Sequence, residues 1–234
     1  MRKLKGKLIG IGVGPGDSEL ITLKAAKLLE KIPIICSPRS APGKKSIALS
    51  IISPIIKNRK EDENLKILEP VFPMTENEKM LEKHWDEASE IIATHLNKGK
   101  DVAFITLGDP SIYSTFTYIQ TRLENDYEIE MIPGINSFTA CASSMTKPLV
   151  EKDEILVIIP KIDHRMNSLL KEGDNFVLMK TSRNTEELEN MIHEEEGKKE
   201  IISVENCTME NEKITEGFPN SKSYLTTTIV KLKK

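Results

Sequence analysis

The chain has 234 residues, 38% of them hydrophobic and 29% charged, an ordinary composition for one large or two small globular domains. A formal net charge of −3 gives the whole molecule no electrostatic reason to bind nucleic acid or an anionic membrane. No stretch reaches the apolar length of a membrane span, and the basic start is followed only by Leu8-Ile9-Gly10-Ile11-Gly12-Val13, too short and glycine-rich for a signal sequence, so a cytoplasmic location is expected.

In chain order, residues 7–13 read as a strand ending in glycines. Asp17 or Ser18 then caps a helix with Leu20, Leu23, Leu28 and Leu29 on its apolar stripe. Residues 33–36 predict a short strand, 46–56 a helix with Ile47, Ile51, Ile52 and Ile55 on one side, and 65–72 a strand. Thr75 with Glu78 three residues on makes a capping box. The helix it opens runs to about Asn97 with Leu81, Trp85, Ala88, Ile92 and Leu96 inward. Residues 101–107 form a buried strand. Repeated βα units of this kind signal a mostly parallel sheet covered by helices.

The second half predicts helices over 113–123, 137–145, 163–171 and 185–195. It predicts strands over 128–132, 155–159, 176–180, 201–205, 212–216 and 223–232. The last two strands, joined by Gly217-Phe218-Pro219-Asn220, read as neighbours in an antiparallel portion. The expected architecture is therefore two α/β domains. Residues 1–114 carry a mostly parallel sheet; residues 115–234 carry a mixed sheet with antiparallel strands.

Cys36, Cys141 and Cys207 are far apart and form no CxxC pair, and His84, His95, His164 and His193 show no HxxxH spacing. That argues against a disulfide framework and a zinc site, so no protein-bound metal is expected. The sequon Asn206-Cys207-Thr208 is a chance match in a cytoplasmic chain.

Three glycine-bearing turns carry the chemical information. The first, Gly10-Ile11-Gly12-Val13-Gly14-Pro15-Gly16-Asp17, is not a dinucleotide fingerprint. The third glycine of GxGxxG is Pro15 or Asp17 in the two possible frames, and Cys36-Ser37-Pro38 stands where a ribose-binding acid belongs. It also lacks the acid that precedes the nucleotide loop of Rossmann-like methyltransferases. The second turn, from Gly108-Asp109-Pro110-Ser111 to Ile119, follows a buried strand, where ligands of open α/β sheets bind. Asp109 could equally cap a helix there. The third, Pro133-Gly134-Ile135-Asn136-Ser137-Phe138, opens a helix of small residues that permits close backbone approach to a ligand or to another helix.

The order GVGPGD, GDPSIYSTFTYI and IPGINSF resembles the tetrapyrrole (corrin/porphyrin) methylase family over essentially the whole chain. Val204-Glu205-Asn206 and the alternating final strand fit as well. The middle motif is most similar to the branch that methylates carbon 20 (C-20) of precorrin-2 or cobalt-factor II. Where relatives carry Tyr-Met-Gly at the fourth strand, this chain has Leu178-Met179-Lys180, so Met179 is retained.

The resemblance implies S-adenosylmethionine as methyl donor, bound folded in the cleft between the two domains, and a homodimer. The positions matching the family's cofactor contacts are Pro15, Leu107, Gly108, Asp109, Ile112, Asn136, Ser137, Met179, Asn206 and Cys207. Backbone N–H groups at strand-to-helix turns suit the methionine carboxylate, and Asp109 suits its amino group. A sulfonium is already activated, so catalysis reduces mainly to alignment and water exclusion, followed by proton removal from the methylated carbon. Asp17, Tyr113 and Glu205 are the candidate bases. The carboxylates of a tetrapyrrole should meet Arg39, Lys44 and Lys45, on the sheet edge of the glycine turns, and Arg183, which follows the Met179 strand; arginine is scarce here, so its positions are informative. A non-catalytic binding protein on this scaffold would show damaged turns, and all three are intact.

Overall fold

The computed structural model describes residues 4–59, 65–181, 185–219 and 223–233. It divides into two compact units, residues 1–136 and 137–234.

The first unit holds a five-stranded sheet in the order β3-β2-β4-β1-β5, built from β1 (Leu8–Gly12), β2 (Ile34–Cys36), β3 (Lys66–Leu68), β4 (Val102–Thr106) and β5 (Ile129–Ile132). Every pairing is parallel. Successive side chains of a strand face opposite sides, so an apolar run buried on both faces makes two cores. Leu8, Ile34, Val102 and Phe104 pack under α3 (Glu78–Leu96) and α4 (Phe116–Leu123). Ile9, Ile11, Ile35, Ala103 and Ile105 pack under α1 (Leu23–Leu29) and α2 (Ile47–Lys57). Gly10 leaves room for the Phe116 ring, which an added β-carbon would meet at 2.6 Å.

The second unit holds the mixed sheet β6-β7-β10-β8-β9. Its strands are β6 (Leu156–Ile159), β7 (Asn175–Met179), β8 (Lys198–Glu205), β9 (Lys213–Glu216) and β10 (Thr226–Lys233). β6 and β7 are parallel; β10 is antiparallel to both β7 and β8, and β8 to β9. Phe176, Leu178, Val230 and Leu232 form a core with α6 (Met166–Glu172) and α7 (Thr185–Glu194). α5 (Ser137–Ser144) packs against β10.

Several sequence expectations are corrected. Asp17 caps a single 3-10 turn, Ser18–Leu20, and Thr22 caps α1 separately. Of the leucine stripe, Leu29 is buried and Leu28 packs against the same core, but Leu23 is 78% exposed and Ala25 faces the core instead. Ile47 is exposed as well, with Ala48 in its place. α3 is capped by Asn77, whose side chain accepts from Met80 N–H, while Thr75 Oγ1 accepts from Asn77 N–H. Tyr113 is not helical: its φ is 49°, and α4 begins at Phe116, whose N–H is held by Ser114 Oγ. β9 and β10 are not neighbours, because β8 lies between them. The expected domain boundary at 114/115 falls inside the first unit, because β5 completes the sheet by pairing with β1.

Candidate active site

The three glycine turns leave β1, β4 and β5, which are adjacent in the first sheet, and their backbones meet. Gly108 N–H donates to Gly14 O at 2.8 Å and Gly14 N–H to Gly108 O at 3.4 Å. Gly108 takes φ +64° and Gly14 φ +80°, conformations that glycine adopts without a side-chain clash. A β-carbon on Gly12 would lie 2.4 Å from Gly108 O and 2.6 Å from Gly134 N; one on Gly134 would lie 2.1 Å from Gly108 O. At this point the three turns pack backbone against backbone, with no room for a side chain at Gly12 or Gly134.

Asp109 fastens the arrangement. One carboxylate oxygen accepts from the Ser111 N–H and hydroxyl, and the other accepts from Gly134 N–H at 3.0 Å. Burial pushes this carboxyl up, but the bonds from Ser111 and Gly134 outweigh it and hold the group below its ordinary value. Asp109 therefore stays a carboxylate and makes an Asx-type turn rather than a helix cap.

Pro15 is buried beside Gly14, and Leu107, Ile112 and Asn136 are half-buried at the same strand ends. Asp17 accepts from Glu19 N–H at 2.8 Å. Tyr113 is 55% exposed. Its positive φ is an unusual conformation for a bulky residue, of the kind that collects at functional sites. Arg39, Lys44 and Lys45 lie between β2 and α2, and β2 is the neighbour of β4. Arg183 lies outside the described residues.

In the second unit Met179, Glu205, Asn206 and Cys207 lie at one end of the sheet, and Ser137 opens α5. Met179 at the end of β7 pairs with Thr227, and Glu205 at the end of β8 pairs with Thr226, both at the start of β10. Glu205 is 4% exposed. Asn206 and Thr208, both at positive φ, flank Cys207, whose thiol donates to Ser137 O at 3.9 Å. The sequence offered no sign of the residues that hold this bend. Glu212 accepts from Ser144 Oγ at 2.9 Å and from Thr208 N–H at 2.6 Å. Lys180 also takes a left-handed φ of 59° and reaches over the Tyr224 ring at 5.3 Å.

Among the described residues no group of three or more His, Cys, Asp or Glu side chains could hold a metal ion, and no helix is long and apolar enough to cross a membrane.

The pattern of the Tetrapyrrole (Corrin/Porphyrin) Methylases matches residues 7–218. The chain belongs to the tetrapyrrole methylase family. Among these methylases it is similar to the probable cobalt-precorrin-2 C(20)-methyltransferase of Methanocaldococcus jannaschii, 37% identical over 99% of this chain and 98% of the relative. It is also similar to the cobalt-precorrin-2 C(20)-methyltransferase of Salmonella typhimurium, 31% identical over 76% of this chain and 73% of the relative. A solved cobalt precorrin-4 methyltransferase shares the methylase fold with a TM-score of 0.72 at 21% identity, covering 96% of this chain and 94% of its own.

Proposed function

We propose that the protein transfers a methyl group from S-adenosylmethionine to C-20 of precorrin-2 or its cobalt form in cobalamin biosynthesis. The observation that carries the reading is the contact of Gly12, Gly14, Gly108 and Gly134 at the rim of the first sheet. It gathers main-chain groups of three turns into one ledge, in a chain 99% of which aligns with a C-20 methyltransferase.

The donor supplies an activated methyl group, so the protein's task is placement. Pro15, Leu107, Gly108, Asp109, Ile112 and Asn136 offer the ledge for its methionine end, with the charged Asp109 carboxylate available to its ammonium. Ser137, Met179, Asn206 and Cys207 supply apolar and backbone contacts for the adenosine end. Alignment of acceptor carbon, methyl and sulfur to within a near-attack distance accounts for most of the rate. Of the three candidate bases, Asp17 already holds a turn and Tyr113 is open to solvent. We assign proton removal to Glu205, which is buried at the edge that carries Met179. A homodimer in the cytoplasm is part of the same reading, supported by the family resemblance; light scattering on the eluting peak tests the dimer.

The decisive experiment is an absorbance assay with S-adenosylmethionine and precorrin-2, with and without inserted cobalt, followed by mass spectrometry. One added methyl group at C-20 in either acceptor is expected. No methylated product from both sinks the assignment.

A further inference from the structure

The segment joining β2 to α2, Ser37-Pro38-Arg39-Ser40-Ala41-Pro42-Gly43-Lys44-Lys45-Ser46, contains cations and no acid, in a chain of net charge −3. It is firmly built. Ser37 Oγ and Ser46 Oγ, both buried, are bonded at 2.7 Å across its base. Arg39 N–H donates to Pro70 O at 3.0 Å and Phe72 N–H to Arg39 O at 2.9 Å, continuing the β2–β3 pairing beyond the strand ends. The Arg39 backbone is thus fixed at the C-terminal rim. β2 borders β4, the strand that delivers Gly108 and Asp109.

Two features of this loop work against stability in the protein alone. Arg39 Nε is buried without a hydrogen-bond partner, and the Arg39, Lys44 and Lys45 side chains form no ion pair among the described residues. A buried donor at a permanent positive charge is costly when unpaired. Lys44 and Lys45 also directly precede the Ser46 cap of α2, whose first turn holds no acid, so their charges stand at the positive end of the helix dipole. An anion at this place would relieve both. The edge of a guanidinium that includes Nε presents two parallel N–H donors, which match a carboxylate.

We propose that the 37–46 loop is the carboxylate-recognition element for the methyl acceptor. The Arg39 guanidinium meets one acetate or propionate, and Lys44 and Lys45 attract the others. This rests on the methyltransferase reading, since a reduced tetrapyrrole carries such carboxylates around its ring. It adds which ring substituents are read and by which residues. Arg39 is a binding residue here and takes no part in methyl transfer itself.

The test compares wild type with Arg39→Gln, Arg39→Lys and the double variant Lys44→Gln/Lys45→Gln. Arg39→Gln should raise KM for precorrin-2 about tenfold, with KM for S-adenosylmethionine moved less than about twofold. The exposed double variant should raise acceptor KM about threefold and flatten the fall of kcat/KM with salt. Arg39→Lys should restore part of the loss. The methyl-ester form of the acceptor should not distinguish wild type from Arg39→Gln. Unchanged acceptor KM in a folded Arg39→Gln protein overturns the proposal. If that variant does not fold, unchanged KM and salt dependence in the double variant overturn it. If wild type methylates neither acceptor, the functional reading fails on its own, and calorimetric titration of each variant with precorrin-2 decides the loop: equal affinities refute it.

Discussion

Asp109 Oδ2 accepts a hydrogen bond from Gly134 N–H at 3.0 Å, across 25 positions of sequence, and so links the bend after β4 to the bend after β5. The first position after one glycine of the rim thereby sets the place of another glycine. That link makes the ledge a unit rather than three separate turns.

Asp109→Asn tests it. An amide turned toward Gly134 sets donor against donor, and leaving a buried N–H unmade costs about 1–3 kcal/mol. The pH dependence has a definite sign. The Asp109 carboxyl sits below its ordinary value in the folded protein, so its contribution is complete above the unfolded value near ~4 and is lost as pH falls through the folded one. Urea midpoints from pH 7 down to pH 3 should therefore fall further for wild type than for the variant. Parallel curves would remove Asp109 from the account.

Gly12→Ala should damage both stability and ligand binding. Its β-carbon would lie 2.4 Å from Gly108 O and 2.6 Å from Gly134 N, with backbone on every side. Overpacking of this kind costs about 1–3 kcal/mol. Wild type at a hundredfold excess of S-adenosylhomocysteine over Kd should gain about 2.7 kcal/mol, and the variant should gain little. Gly217→Ala meets no atom within 4 Å but forces a side chain onto a φ of +85°, so it is the control for backbone strain alone: it should lose stability and keep the ligand response.

Lys180 combines backbone strain with a ring contact. A left-handed φ costs a side-chain-bearing residue about 1–2 kcal/mol, and an exposed cation–π contact returns about 0.5–1 kcal/mol. Lys180→Ala keeps the strain and loses the contact, so it should destabilise by about 0.5–1 kcal/mol. Lys180→Gly loses both and should be neutral or slightly stabilising. Chemical denaturation of the pair separates them, and the opposite order would show that the backbone is not strained.

Arg122 crosses from α4 to α3. It pairs with Asp86 at 2.7 Å and with Glu82, and lies over Trp85, which itself stacks on Tyr118 with ring centroids 3.8 Å apart. Arg122→Ala should cost about 1–2 kcal/mol, less at high salt because the pairs are exposed. Trp85 is the chain's single tryptophan, so its emission reports this junction directly. An unchanged spectrum and midpoint would make the cluster ornamental.

The alternation of strands and helices was legible because the first sheet is buried on both faces. Runs such as Val102-Ala103-Phe104-Ile105 have no other stable home. The glycine turns were legible because glycines so spaced have few other uses. Less could be read where two solutions are locally equal: Thr75 and Asn77 both suit a cap, and the helix opens after Asn77. Periodicity fixes which face of a strand is buried but not which strand lies alongside, so the insertion of β8 between β9 and β10 left no mark. The left-handed turns at Tyr113, Lys180 and Asn206 were invisible because the usual glycine is absent from each. Scarcity and position single out Arg39 in the sequence, but its unpartnered Nε is a property of the folded loop alone.

β10 lies between β7 and β8 although β8 and β9 both come before it in the chain. A ribosome adding about 5–20 residues per second delivers those earlier strands first, each with an open hydrogen-bonding edge waiting for residues 226–233. Until then they are templates for strand addition by any neighbouring polypeptide. Newly made copies should consequently lean on holdase chaperones late in synthesis, and polysome crowding should make this half of the molecule the source of inclusion bodies.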